Sequence, residues 1–112
     1  MIGEIILSKK GYDIKILNLK GISDMADYFI ICSAEADRQV KAIADEIDEK
    51  LLEKGIKCFH KEGFETLNWI LLDYFDIVVH IFRAESRTYY NLEKLWGDAP
   101  IISIDDKPKK KA

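Results

Sequence analysis

The most regular stretch of the chain lies between Val40 and Leu51, where Val40, Ile43, Ile47 and Leu51 recur at spacings of three and four. Residues so spaced share one face of a helix, so this segment predicts an amphipathic helix packed on a core. Ser33 is the expected N-cap, Glu35 and Asp37 suit the positive end of the helix dipole, and Gly55 supplies the stop. The opposite face carries Lys41, Asp45, Asp48, Glu49 and Glu53, the composition of a solvated helix surface.

Strand patterns surround this helix. Ile14 to Leu19 reads as a strand closed by Gly21, and Asp27 to Ser33 is so continuously apolar that a central strand buried on both faces is expected. Beyond Gly55, a short strand over Lys57 to Lys61 leads to a turn at Glu62-Gly63. Two stronger strands follow, Leu67–Asp73 and Asp76–Phe82, separated by Tyr74-Phe75. So short a connection requires an antiparallel hairpin, because a parallel crossover needs about ten residues or more. Neither Tyr nor Phe favours positive φ, so a primed turn there is strained, or the loop widens to take in Asp73 and Asp76. Met1 to Lys10 suggests a short helix ending near Gly11, and Glu85 to Trp96 one or two helical turns broken by Gly97 and Pro100. The fold class is therefore α/β, a mixed sheet of about five strands with helices mainly on one face. Such a sheet keeps an apolar surface on its other side. One domain over residues 1–104 is expected, followed by a Lys-rich flexible tail over 105–112.

Charge sharpens the picture. The formal net charge of −3 hides an asymmetry, since four of the seventeen basic residues are Lys107, Lys109, Lys110 and Lys111. Residues 1–106 set thirteen basic against twenty acidic side chains, a formal −7. Nucleic-acid surfaces built by bulk charge need clustered Lys and Arg, so direct sequence-specific nucleic-acid binding is not expected; basic partners are favoured. A hydrophobic content of 48% excludes a disordered chain. No apolar run approaches the ~20 residues of a membrane span, the N-terminus does not read as a signal peptide, and Cys32 and Cys58 suit a reduced cytoplasm.

Candidate chemistry is sparse. Cys32, Cys58, His60 and His80 lack the close pairs of a zinc site, and no metal or cofactor is expected. A Cys32–His80 nucleophile pair is possible on one sheet, but a buried thiol is the commoner outcome, and His80 shares a strand face with Val78 and Phe82 as a core residue would. Asp73 and Asp76 are ordinary turn residues. The aromatic residues say more. Alternation places Leu67, Trp69, Leu71 and Asp73 on one strand face and Asn68, Ile70 and Leu72 on the other. Either Trp69 fills the core, or Trp69 with Tyr74 and Phe75 forms an exposed aromatic patch flanked by carboxylates, the composition of an interface hot spot. A second group, Tyr89, Tyr90, Leu92, Leu95 and Trp96, is expected to pack the last helix on the sheet.

Three blocks carry a family resemblance. Asp27 to Ser33 followed by Asp37 to Asp45, then Trp69 to Phe82, then Tyr90 to Pro100, resemble in order and spacing the signatures of the ribosomal silencing factor (Iojap-like) family. The likeness covers about Ile14 to Pro100. It implies a fold similar to the nucleotidyltransferases without their catalytic Gly-Ser and paired-Asp motif, and hence no enzyme. It also implies a cytoplasmic translation repressor that binds the large ribosomal subunit through ribosomal protein L-fourteen and sterically blocks joining of the small subunit. A homodimer is common in the family. The partner-binding residues implied are Trp69, Leu71, Asp73, Tyr74, Phe75 and Asp76. The alternative is a nucleotide-dependent transferase using Asp73, Asp76 or His80; a third possibility is a homodimer built on the Trp69 face. Two features depart from the pattern the resemblance implies: Phe75 replaces a usual Gly, and the stretch Ser33-Ala34-Glu35-Ala36 replaces a small polar loop. The N-terminal helix is shortened, and the Lys-rich tail lies beyond the resemblance.

Overall fold

The computed structural model describes residues 2–22, 24, 26–90 and 99–104. Along the chain these form α1 (Ile2–Ser8), β1 (Tyr12–Asn18), β2 (Tyr28–Ala34), α2 (Asp37–Glu53), β3 (His60–Glu62), β4 (Trp69–Asp73), β5 (Ile77–Arg83), α3 (Ala84–Tyr90) and β6 (Ile101–Ile104). The strands make one mixed sheet in the order β3-β4-β5-β2-β1-β6. The β2–β5 pair is parallel, with Tyr28 opposite Ile77 and Ala34 opposite Arg83, and every other pairing is antiparallel. The mixed α/β class read from the sequence holds. Its count of about five strands is corrected to six among the described residues. The added strand, β6, pairs with β1 from Ile14↔Ile104 to Leu17↔Ile101. It was overlooked because four residues after a proline carry too little pattern to register.

Alternation sorts side chains to two faces. On the helical face, Ile30 and Cys32 of β2, Ile70 and Leu72 of β4, and Val79 and Ile81 of β5 meet Ile6 of α1 and Val40, Ile43, Ile47 and Leu51 of α2. Each large aliphatic side chain so buried contributes about 1.5–3 kcal/mol. On the second face, Leu17, Leu19, Phe29, Ile31, Val78 and Phe82 form a separate cluster, with Trp69 and Leu71 packed against it. β2 is buried on both sides, as its continuous apolar run implies. The expected second aromatic cluster falls at Tyr89, Tyr90, Leu92, Leu95 and Trp96, whose side chains lie outside the described residues, as does the tail over 105–112.

The start of α2 differs from expectation. Ser33 belongs to β2, where its buried Oγ accepts a hydrogen bond from Arg87 Nη1 at 2.9 Å. Ala36 is the N-cap instead, and because alanine has no capping oxygen, Gln39 Oε1 reaches back to accept the Ala36 N–H at 3.0 Å. The strand outcompetes the cap because Ser33 and Ala34 extend the parallel ladder with β5.

The turn before β4 depends on Gly63. Its φ is +94°, and a Cβ there would sit 2.0 Å from the Trp69 carbonyl oxygen. Both the conformation and the space demand glycine. Gly63→Ala is therefore expected to cost roughly 3 kcal/mol, through φ strain and backbone displacement together. Urea denaturation checks it, and an unchanged midpoint would refute the close approach.

Candidate partner-binding site

The β4–β5 hairpin carries the residues singled out in the sequence. It is antiparallel as expected, with Trp69 opposite Phe82, Leu71 opposite His80 and Asp73 opposite Val78. The turn is wider than two residues. Tyr74 N–H donates to Ile77 O at 2.9 Å, and Asp73 Oδ1 accepts the Phe75 N–H at 2.8 Å. Phe75 takes φ +71°, the left-handed conformation that favours glycine. A non-glycine residue there costs about 1–2 kcal/mol. Two local contacts offset it: the Asp73 carboxylate holds the backbone, and the Phe75 ring lies 4.2 Å from the Phe59 ring. The other side of the turn is tied to the sheet, because Asp76 O accepts N–H bonds from Asp27 at 2.8 Å and Tyr28 at 3.0 Å.

The expected aromatic patch is divided by this geometry. Trp69 and Leu71 are half-buried on the second face. Tyr74, past the end of β4, turns to the helical face, where its hydroxyl donates to Asp48 Oδ1 of α2 at 3.2 Å. Burial and the neighbouring Asp48 carboxylate push the Tyr74 phenol well above its ordinary range. Asp48 also pairs with Lys61 Nζ of β3 at 2.6 Å. Phe75 projects from the turn tip and is 61% exposed. Its stacking partner Phe59 is 63% exposed and was not picked out from the sequence, where it is one aromatic residue with no periodic companion. Asp73 is half-buried and Asp76 exposed.

Trp69 is held from two sides. Its indole stacks on Phe82 with centroids 4.9 Å apart and planes 25° from parallel, and its Nε1–H donates to His80 Nδ1 at 3.0 Å. His80 is 3% exposed, with Phe29 edge-on at 4.5 Å. Accepting through Nδ1 makes the neutral Nε2–H tautomer the consistent one. Burial lowers the His80 pKa to about 4, so the ring is uncharged at neutral pH. Its Nε2 has no hydrogen-bond partner, which costs about 1–3 kcal/mol.

Other candidate groups are separated. Cys32 faces the helices and His80 the opposite side of the sheet, so no thiol–imidazole pair exists. Burial pushes the Cys32 thiol up to about 12, which keeps it protonated and unreactive. His60 is exposed on β3 beside Glu62, 2.6 Å away, while Cys58 Sγ donates to the carbonyls of His60 and Asp73 at 3.2 and 3.6 Å. Among the described residues no group of three His, Cys, Asp or Glu is placed to hold a metal ion.

These features define a small mixed-sheet α/β domain that presents a braced, carboxylate-bearing hairpin. The chain belongs to the ribosomal silencing factor family: the family model described as "Ribosomal silencing factor during starvation" matches residues 1–112. That match extends beyond the Ile14–Pro100 stretch read as similar from the sequence. Ribosomal silencing factor RsfS of Bacillus subtilis is 50% identical over 97 residues, covering 87% of this chain and 82% of the relative. Two crystal structures share the fold. A protein from Chromobacterium violaceum has a TM-score of 0.83 at 35% identity, covering 86% of this chain and 80% of its own. One from Bacillus halodurans has a TM-score of 0.80 at 41% identity, covering 92% and 93%.

Two expected outcomes follow from the hairpin. Phe75→Ala keeps the strained φ and loses the ring contact, whereas Phe75→Gly removes the strain; the glycine variant should be the more stable by about 1 kcal/mol. Equal denaturation midpoints would show that the turn is unstrained. The second concerns acid. His80 has a folded pKa near 4, below its ordinary 6.5, so its contribution to stability is complete above pH 6.5 and lost as pH falls toward 4. His80→Phe should flatten stability between these limits, by up to about 3 kcal/mol. Parallel pH profiles for the two proteins would contradict the assignment.

Proposed function

We propose that the chain lowers translation by binding the large ribosomal subunit through ribosomal protein L-fourteen and blocking the small subunit sterically. Family membership supports a ribosomal role, and the braced β4–β5 hairpin is the observation that carries the mechanism. Asp73 and Asp76 belong to a turn whose backbone is tied to β2 and whose tip is held by the Asp73 carboxylate. Carboxylates displayed this way suit Arg and Lys of a basic ribosomal protein, and the formal −7 of residues 1–106 suits the same kind of partner. Steric occlusion needs affinity and bulk rather than a reaction. An interface of about 800 Å² per partner places a domain of this size where another subunit must dock.

In this reading Trp69 and Leu71 are the apolar anchors, Asp73 and Asp76 the charged acceptors, and Tyr74 and Phe75 shape the tip. Trp69, Leu71 and Asp73 share one face of the hairpin while Tyr74 turns to the other, so the partner contacts the Trp69 face together with the turn tip. The work is cytoplasmic, where ribosomes assemble on messages. Among the described residues no helix is long and apolar enough to cross a membrane. A homodimer belongs to the same proposal, with residues 1–104 as its folded unit.

Sedimentation of purified ribosomal subunits tests this. Wild-type protein is expected to hold subunits apart, and Trp69→Ala to weaken that effect at least tenfold. Asp73→Asn keeps Oδ1 for the Phe75 N–H and removes the charge, so together with Asp76→Asn it should weaken binding and flatten its salt dependence. Inhibition by Trp69→Ala equal to wild type would sink the mechanism.

A further inference from the structure

We propose that His80 is a positioning residue for partner binding: through Nδ1 it fixes the indole of Trp69 in the orientation that meets the ribosomal partner. The inference rests on the reading above that Trp69 is an anchor. The geometry runs across three strands. Phe29 of β2 packs edge-on against the His80 ring at 4.5 Å, His80 of β5 accepts the Trp69 N–H at 3.0 Å, and Phe82 of β5 stacks on the indole at 4.9 Å. Stacking on Phe82 restrains the tilt of the indole but has no direction along its edge. The hydrogen bond from Nε1–H to His80 Nδ1 is directional and fixes that edge. His80 can supply the bond because it is itself locked, buried in the sheet between Phe29 and Trp69.

An apolar residue would serve the packing at position 80 with less penalty. The ring nitrogen Nε2 is buried without a partner, so the histidine carries an unmet polar group that phenylalanine would not. An acceptor at the δ position is what His offers and Phe lacks. A pre-oriented indole loses less rotational freedom when a partner closes over it, and affinity gains by that saving.

Substitution separates this role from a structural one, because stability and binding are expected to move in opposite directions. Asparagine places Oδ1 near where His80 has Nδ1, so His80→Asn keeps the acceptor while leaving a cavity and unmet amide protons. His80→Phe fills the space and removes the acceptor. The expected result is that His80→Phe is the more stable protein yet separates ribosomal subunits about tenfold less well than wild type, while His80→Asn is less stable and stays within about threefold of wild type. The indole N–H resonance of Trp69, assigned by its loss in Trp69→Phe, should shift and exchange faster with solvent in His80→Phe, and remain close to wild type in His80→Asn. If Trp69→Ala weakens binding but His80→Phe matches wild type, the positioning role is overturned and the anchor stands. If binding by both His80 variants falls in proportion to their lost stability, the histidine is structural and the inference is also overturned. If Trp69→Ala itself has no effect, the anchor reading fails, and the positioning role with it.

Discussion

The parallel pairing of β2 with β5 governs what the remaining elements can do. Two parallel neighbours cannot be joined by a tight turn, so the chain between them must leave the sheet and return. It leaves as α2, packs along the helical face, and comes back as β3 and β4 on the far side of β5. β4 is thereby forced to run antiparallel to β5, and their turn falls at the end of the sheet where β2 begins. There the N–H groups of Asp27 and Tyr28 meet the Asp76 carbonyl. The hairpin tip is thus held by the central strand rather than left as an independent ribbon. Its rigidity is a consequence of topology.

Burial on both faces makes that central pair stable enough to carry an imperfect turn. Ile30, Cys32, Val79 and Ile81 face the helices while Phe29, Ile31, Val78 and Phe82 face the other way, so a slip of one residue would exchange two complete apolar sets. Such a register tolerates a phenylalanine at φ +71° two residues before β5. The strain is met locally by Asp73 and by the Phe59 ring, and the rest of the sheet has no need to adjust.

How much of this was legible in the sequence depended on periodicity. Val40, Ile43, Ile47 and Leu51 announced α2, and alternation from Trp69 to Asp73 assigned each side chain to its observed face. The antiparallel hairpin followed from the shortness of its connection. Periodicity ends where a strand ends, and there the reading failed. Tyr74 lies close to Trp69 in sequence, yet one residue beyond β4 the chain has turned and the phenol points to Asp48. Ser33 had the chemistry of a cap but was claimed by the ladder. Phe59 and β6 involve too few residues for any period to appear. The Trp69–His80 bond is of a different kind. Both residues were visible, but a diagonal contact between neighbouring strands depends on register, which spacing along one strand does not supply.

The acidic character of the chain takes on a more specific sense at the hairpin. Asp73 spends one carboxylate oxygen on the Phe75 N–H and Asp76 spends its backbone carbonyl on β2, bonds that leave both charges in place. In the function proposed above, a partner's Arg or Lys would meet an Asp73 carboxylate ordered on folding rather than on binding. The same logic explains how a phenylalanine can stand at a tip whose φ of +71° favours glycine. Glycine would make the turn easier to form and looser afterwards, whereas Phe75, against the Phe59 ring, adds apolar surface beside the Asp73 carboxylate. Affinity built from a held tip, rather than from a flexible loop that closes, fits the steric mechanism proposed above.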